Sequence, residues 1–194
     1  MKAYMPRRLR VWSPGMMYHI TARGNRRGTL FHDSHDYKRY LLNLSLLKDS
    51  HHFLLHAYCL LPNHLHLLLE TNQTPLSKSM HQLQTNYAKY YNHRYKKEGH
   101  VFEKRYYSDP IRDQAHFFQV SKYIHRNPVE AGLTGTVAEY RWSSGRDYAE
   151  TPAYLHPQHP FLTFTRTLDA FPQPSQENYS LFMNRETLTP KEEF

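Results

Sequence analysis

Residues 62–69 have the sequence Pro-Asn-His-Leu-His-Leu-Leu-Leu, a turn that leads into an apolar run interrupted by two histidines. Successive side chains of a β-strand point to opposite faces, so His64 and His66 share one face and the alternating leucines take the other. Two imidazoles at this separation suit a divalent metal ion. Composition alone predicts roughly one such pair in a chain with 15 histidines among 194 residues. The pair therefore needs support from the rest of the sequence.

The sequence on either side predicts three further strands and three helices. Stretches rich in β-forming residues predict strands over 16–22, 53–60 and 104–111. Apolar residues at helical spacing predict helices over 33–49, 75–99 and 113–127. The last helix is predicted to end at Asn127, because Pro128 disfavours helical geometry in the residue before it.

The predicted order is strand, helix, strand, strand, helix, strand, helix. This is an α+β fold of the ferredoxin-like split βαβ type, with an antiparallel sheet and an added C-terminal helix. Helices are expected on one face of the sheet, with the other face left available. The sequence thus predicts that the face bearing the two histidines is open to other groups.

The composition changes near residue 150. Six of the 12 prolines lie beyond it, and this last part of the chain is slightly acidic. The sequence therefore predicts a main domain over residues 1–150 and a C-terminal extension over 151–194 of uncertain order. A short helix is expected around residues 176–184.

A formal net charge of +8 favours a polyanionic partner such as nucleic acid. Basic residues cluster in the first forty positions and again over 89–105, where tyrosines are interleaved with them. Cations beside flat rings suit a single-stranded nucleic acid, whose phosphates take the charge and whose bases can stack. Tyrosines at three- and four-residue spacing equally fit the core-facing side of a helix.

Cys59 is the only cysteine, which excludes an internal disulfide and a thiolate-rich zinc site. No run approaches the ~18 apolar residues that a membrane span needs. The basic amino terminus is not followed by the apolar stretch of a secretory signal. A cytoplasmic protein without membrane partners is expected.

Tyr123 and Asn127 are four residues apart and therefore share one face of the last predicted helix. An asparagine carbonyl oxygen can serve as third ligand for a hard ion such as Mg²⁺ or Mn²⁺. If this face lies across from His64 and His66, the phenol of Tyr123 is one helical turn from the metal. A phenol in that position suits covalent phosphoryl transfer, in which it attacks a phosphodiester bound to the same metal.

Each of these residues also has a purely structural interpretation. His64 and His66 fit two half-buried strand histidines, and Tyr123 fits an ordinary core position. Asn127 fits the end of a helix, where asparagine is common. The functional interpretation depends on all four residues meeting at one place.

Four blocks of the chain, in family order, resemble the HUH-type single-tyrosine transposases, and most closely the REP-associated tyrosine transposases of bacteria. They are Tyr-His-Ile-Thr-Ala-Arg-Gly-Asn-Arg-Arg over 18–27, Leu-Pro-Asn-His-Leu-His over 61–66, Gly-His-Val-Phe-Glu-Lys-Arg-Tyr over 99–106, and Tyr-Ile-His-Arg-Asn-Pro-Val-Glu-Ala-Gly over 123–132. The resemblance covers about residues 5–150. It implies a nuclease domain that cuts single-stranded DNA beside a small hairpin, leaving a 5′-phosphotyrosine link and a free 3′-hydroxyl.

The resemblance also assigns roles to residues. It implies Tyr123 as nucleophile, and His64, His66 and Asn127 as ligands of Mg²⁺ or Mn²⁺. Backbone and hairpin contacts are expected from a set of mostly basic residues: Arg7, Arg8, Arg10, Arg23, Asn25, Arg26, Arg27, Lys104 and Arg105. Relatives more often have Gln-Gly-Arg where Lys104 stands.

Two further hypotheses stay open at this point. One is a protein that binds nucleic-acid hairpins without cutting them. The other is a zinc hydrolase, which is weaker because asparagine is an uncommon zinc ligand and the helical His-Glu-x-x-His pattern is missing. The sequence is compatible with a monomer or a homodimer.

Overall fold

The computed structural model describes residues 12–150 and 161–185. The predictions made for Arg7, Arg8 and Arg10 and for residues 151–160 and 186–194 lie outside this part of the chain. Four strands are β1 (Met17–Arg23), β2 (Leu54–Leu61), β3 (His64–Glu70) and β4 (Tyr107–Pro110). Three long helices are α1 (Ser34–His51), α2 (Leu76–Tyr95) and α3 (Gln114–Glu130). Shorter helices are α4 (Gly145–Glu150), α5 (Thr165–Leu168) and α6 (Ser175–Asn184).

The four strands form one antiparallel sheet in the order β2-β3-β1-β4. Strand β3 lies between β1 and β2, as the split βαβ arrangement requires. The predicted fold class is therefore confirmed. The β1–β3 register pairs Arg23 with His64 and Thr21 with His66, so the side chains of β1 next to the histidines are set by this pairing.

The two faces of β3 have different neighbours. Its leucines at 65, 67 and 69 lie in a core shared with apolar residues of α1 and α2. On the other face, Leu68 lies in a second core with Phe117, Val120 and Ile124 of α3. The expectation of an available second face is wrong over β2 and β3, because the apolar side of α3 covers them.

Helix α3 does not end at Asn127 as predicted but runs through Pro128 to Glu130. Proline lacks only one N–H donor, so near a C-terminus it removes a single helical hydrogen bond. The helix is terminated by Gly132, which has a φ of +68°. Leu133 N donates to Pro128 O, and Gly132 N donates to Val129 O. This is a Schellman motif, and it satisfies the last carbonyls of the helix.

The described part of the C-terminal segment packs against the main body of the protein. Tyr179 and Met183 of α6 are fully buried with Val137 and Tyr148 in a third core. Leu162 forms a parallel bridge with Leu55 of β2. The predicted helix near 176–184 is confirmed as α6, and the division into two domains at residue 150 stays a prediction. In the described ranges, no helix combines the length and apolarity needed to cross a membrane.

Helices α1 and α2 are joined by hydrogen bonds around the buried carboxylate of Asp36. It accepts from the hydroxyls of Tyr90 and Tyr95 at 2.9 and 2.7 Å and from Arg94 Nη1 at 2.6 Å. Arg94 also binds Asp33, whose carboxylate caps the amino terminus of α1. Because the Asp36 carboxylate is buried, the loss of the Arg94 cation would leave an uncompensated charge inside the protein and destabilise the fold.

Replacing Arg94 with methionine is expected to lower the free energy of unfolding clearly more than a substitution at an exposed position, because the buried carboxylate of Asp36 loses its cationic partner. Urea denaturation measures this change. The matched control is Lys89→Met, an exposed position on the same helix, where a change within about 0.5 kcal/mol is expected. Equal effects of the two substitutions would show that the buried ion pair adds nothing to stability.

Candidate active site

His64 and His66 lie side by side on the α3 face of the sheet, as the strand alternation predicts. Their ring centroids are 5.1 Å apart and the rings are nearly perpendicular. His66 is buried, at 2% exposure, whereas His64 is partly open to solvent at the end of β3. The pair thus has one buried member and one that can be reached from outside.

The ring of His66 is held at one nitrogen and unpartnered at the other. Its Nδ1 lies 3.0 Å from Nε2 of His19 and 3.4 Å from the hydroxyl of Thr21, both on β1. Its Nε2 is buried and has no hydrogen-bond partner among the described residues. A buried polar atom without a partner is costly, and a metal ion would satisfy it.

Tyr123 brings its ring against the same histidines. The ring centroid is 5.4 Å from that of His66 and 5.8 Å from that of His19, with both contacts edge to face. The phenol is carried by α3, which packs on β2 and β3 through Val120 and Ile124. The predicted juxtaposition of phenol and paired imidazoles is therefore present within one chain.

Asn127 lies one helical turn beyond Tyr123 and is buried. Its amide is close enough to His64 to favour the protonated form of that ring, and Nδ1 of His64 is 2.7 Å from Oδ1 of Asn63. The structure thus brings all four predicted residues, His64, His66, Tyr123 and Asn127, to one place.

Both histidines of the pair favour the neutral form that binds metals. Burial lowers the pKa of His66 well below its usual value, and it lowers the pKa of His19 to about 4. The pKa of His64 is lowered first by burial and then by the nearby charge of Arg23. At neutral pH these rings present lone pairs rather than positive charge.

The donor set fits a divalent ion with open positions. It offers two imidazole nitrogens and one amide oxygen, and it contains no carboxylate or thiolate. In the described part of the chain, no group of three or more His, Cys, Asp or Glu side chains is placed so that it could hold a metal ion. Three neutral ligands leave coordination positions of a divalent ion open and its positive charge unbalanced. The oxygens of an anionic substrate can take those positions.

Two loops beside His64 carry the predicted DNA-contacting residues that the structure describes. The loop after β1 lies against the loop before β4, since Gly24 bridges Phe102 and Asn25 N donates to Val101 O at 2.8 Å. A side chain on Gly24 would overlap the carbonyl of Gly28, so the tight turn requires glycine. The last residue of β1 and the two loops together present Arg23, Asn25, Arg26, Arg27, Lys104 and Arg105. We define these six residues as the basic rim.

His19 and Thr21 are site residues that the sequence did not indicate. Both stand on β1 with the same two-residue spacing as His64 and His66, so alternation places them on one face of their own strand. The sequence did not reveal that β1 pairs directly with β3, which places Thr21 opposite His66. His19 contacts both a predicted ligand and the predicted nucleophile.

The model of the IS200-like transposase family matches residues 13–127, more than half of the chain. The chain belongs to this transposase family. A Haemophilus influenzae protein assigned as a REP-associated tyrosine transposase is 26% identical over 121 residues, covering 53% of this chain and 63% of the relative's length. A solved structure of a REP-associated tyrosine transposase bound to a REP hairpin is similar with a TM-score of 0.63 and 20% identity, covering 74% of this chain and 84% of that one. That likeness establishes a shared fold.

Replacing Arg23 with glutamine is expected to raise the pKa of His64, because a neighbouring positive charge is removed while the burial remains. NMR titration of the histidine ring protons in the presence of a chelator measures the shift. Arg26→Gln, at an exposed position three residues beyond Arg23, is expected to leave this pKa unchanged. A fall in the pKa of His64 upon Arg23→Gln would contradict the assigned electrostatics.

Proposed function

We propose that this transposase is a metal-dependent endonuclease and strand transferase that cuts single-stranded DNA beside a hairpin through a 5′-phosphotyrosine. The observation that carries the proposal is the contact of Tyr123 with His66 at 5.4 Å between ring centroids, with Asn127 one turn away. Phosphoryl transfer depends chiefly on positioning and on neutralising charge. A phenol beside metal-binding groups meets both needs.

The chemical step begins with attack of the Tyr123 Oη on the scissile phosphorus. The bond from phosphorus to the 3′ oxygen breaks, and that oxygen takes up a proton while the phenol loses one. The products are a phosphotyrosine at the 5′ side and a free 3′-hydroxyl. Because the energy of the phosphodiester is retained in the tyrosyl ester, a second 3′-hydroxyl can later reverse the step and join a different strand.

His64, His66 and Asn127 would hold the Mg²⁺ or Mn²⁺. When bound, the ion neutralises charge on the scissile phosphate and makes the phosphorus a better electrophile. The contribution of the chain is to orient the ligands: His19 holds His66 through Nδ1, and Nε2 of His66 has no partner among the described residues and is left to bind the ion. Hydrogen bonds of this kind commonly change metal affinity by about 10–100-fold.

The basic rim supplies the binding surface for DNA. Its cations lie at the His64 end of the sheet, Arg23 at the end of β1 and the others on exposed loops that can follow a phosphate backbone. The relative of known structure was solved with a REP hairpin, and the basic rim of this chain suits a ligand of the same chemistry. We therefore propose hairpin-forming single-stranded DNA as the substrate class.

Tyr123→Phe is expected to abolish the covalent protein–DNA adduct, because the variant lacks the attacking oxygen. Labelled hairpin DNA is incubated with protein and Mn²⁺, and the adduct is measured on a denaturing gel. Tyr18→Phe, on the opposite face of β1, is the matched control and should keep full activity. An equal adduct yield from Tyr123→Phe would refute the nucleophile. Hairpin binding by the wild type without any adduct would instead favour a binding protein that does not cut.

His64→Ala is expected to weaken Mn²⁺ binding by at least about tenfold and to remove metal-dependent cleavage, because one of three ligands is lost. Affinity for hairpin DNA should stay nearly unchanged, since contacts with phosphates dominate it. Electron paramagnetic resonance measures Mn²⁺ binding, and fluorescence anisotropy measures DNA binding. His81→Ala, an exposed histidine on α2, serves as control. Unaltered Mn²⁺ affinity in His64→Ala would exclude this residue as a ligand.

A further inference from the structure

A second buried polar network contacts α3 away from the nucleophile. The hydroxyl of Tyr179, on α6, lies 2.6 Å from Oγ of Ser121 and 3.1 Å from Nδ1 of His125. The other nitrogen of His125, Nε2, lies 2.8 Å from Oγ of Ser144. All four side chains have no measurable exposure. Water therefore cannot substitute for any of these bonds at low cost.

The network is anchored in the sheet. Ser144 Oγ accepts from Tyr58 N at 2.9 Å, and Ser144 N donates to Tyr58 O at 3.0 Å, which ties this serine to β2. A side chain on Gly145 would meet Val137 and approach His125 closely, so glycine allows α4 to begin against α3. A continuous set of hydrogen bonds thus runs from β2 through α3 to α6.

This network and the catalytic face lie on opposite flanks of the same helix. Ser121 and His125 are each two residues from Tyr123, which is about 200° around an α-helix. Val120 and Ile124 lie between the two flanks and contact the sheet. Apolar contacts alone allow a helix to rotate slightly about its axis, whereas directional bonds on one flank resist that rotation.

We propose that Tyr179 is a positioning residue for the nucleophile, setting the rotation of α3 through Ser121 and His125. The proposal rests on the proposed function, in which Tyr123 attacks the phosphate. Tyr179 never touches the substrate; it acts through the helix that carries Tyr123 and Asn127. Helix α6 also lies beyond residues 13–127, the part matched by the transposase family model. The C-terminal segment is therefore part of the catalytic apparatus of this chain.

The test compares two buried tyrosines of the same core. Tyr179→Phe keeps the ring and removes the hydroxyl that contacts α3. Tyr148→Phe is the matched control, because the Tyr148 hydroxyl bonds to His56 O at 2.9 Å and to Thr167 rather than to α3. Both substitutions remove one buried hydroxyl, so the two variants should lose similar thermal stability.

At saturating hairpin DNA and Mn²⁺, Tyr179→Phe is expected to slow adduct formation by about tenfold or more, since ~1 Å of misplacement can cost about 10²-fold. The dissociation constant for DNA should not change. Tyr148→Phe should keep the rate within about twofold, as its hydroxyl does not contact α3. A normal rate in Tyr179→Phe, or equal slowing in both variants, would overturn the proposal. Should Tyr179→Phe not fold, Ser121→Ala removes the 2.6 Å bond from the other side and is held to the same criteria.

A readout without catalysis separates this inference from the proposed function. The ring of Tyr123 lies edge to face with His66, so a rotation of α3 changes the ring-current shift of the His66 protons. NMR of metal-free protein with labelled histidine should show these protons shifted in Tyr179→Phe and unshifted in Tyr148→Phe. Absence of an adduct in the wild type would sink the proposed function, whereas unshifted His66 protons in Tyr179→Phe would sink the positioning role.

Discussion

The site depends on the hydrogen bond between Nδ1 of His66 and Nε2 of His19, 3.0 Å long and buried between the sheet and α3. Burial keeps both rings neutral, and the bond fixes the one ring that solvent cannot reach. A group that is already held in place does not have to reorient when charge develops in the reaction. Fixed groups contribute most to catalysis under this condition. The register of β1 against β3 makes this bond possible, because it places Thr21 opposite His66 and His19 opposite Leu68.

This constraint also explains why the sheet needs helices on both faces. Leucines on one side of β3 require the cover that α1 and α2 provide, and His66 on the other side is buried only because α3 lies across it. The helix that completes the second core is also the one that carries Tyr123 and Asn127. The packing of α3 on the sheet therefore also assembles the site, and a loosely packed α3 would expose His66 and separate it from the phenol.

The sequence was sufficient to predict the elements with a clear period and the residues that share a face within one element. The alternation over 62–69 predicted the face of His64 and His66, and the helical spacing predicted that of Tyr123 and Asn127. Contacts between elements were not predictable in this way, since they follow from strand pairing. His19 was missed for that reason. The end of α3 was misplaced because Pro128 costs the helix only one hydrogen bond, and the Schellman motif that ends the helix lies further along the chain, at Gly132.

The C-terminal segment was the least predictable part, because its polar composition gave no periodic pattern to assign to a core. The reason is visible in Tyr179, whose ring packs in an aromatic cluster while its hydroxyl binds Ser121 and His125. Such a residue contributes one apolar ring and one hydrogen-bonding hydroxyl, and neither produces a repeating pattern in the sequence. If Tyr123 is the nucleophile, as proposed, its helix needs both kinds of contact: apolar packing fixes the distance of the helix from the sheet, and hydrogen bonds fix its angle. The sheet supplies the first to α3, and the segment beyond residue 140 supplies the second.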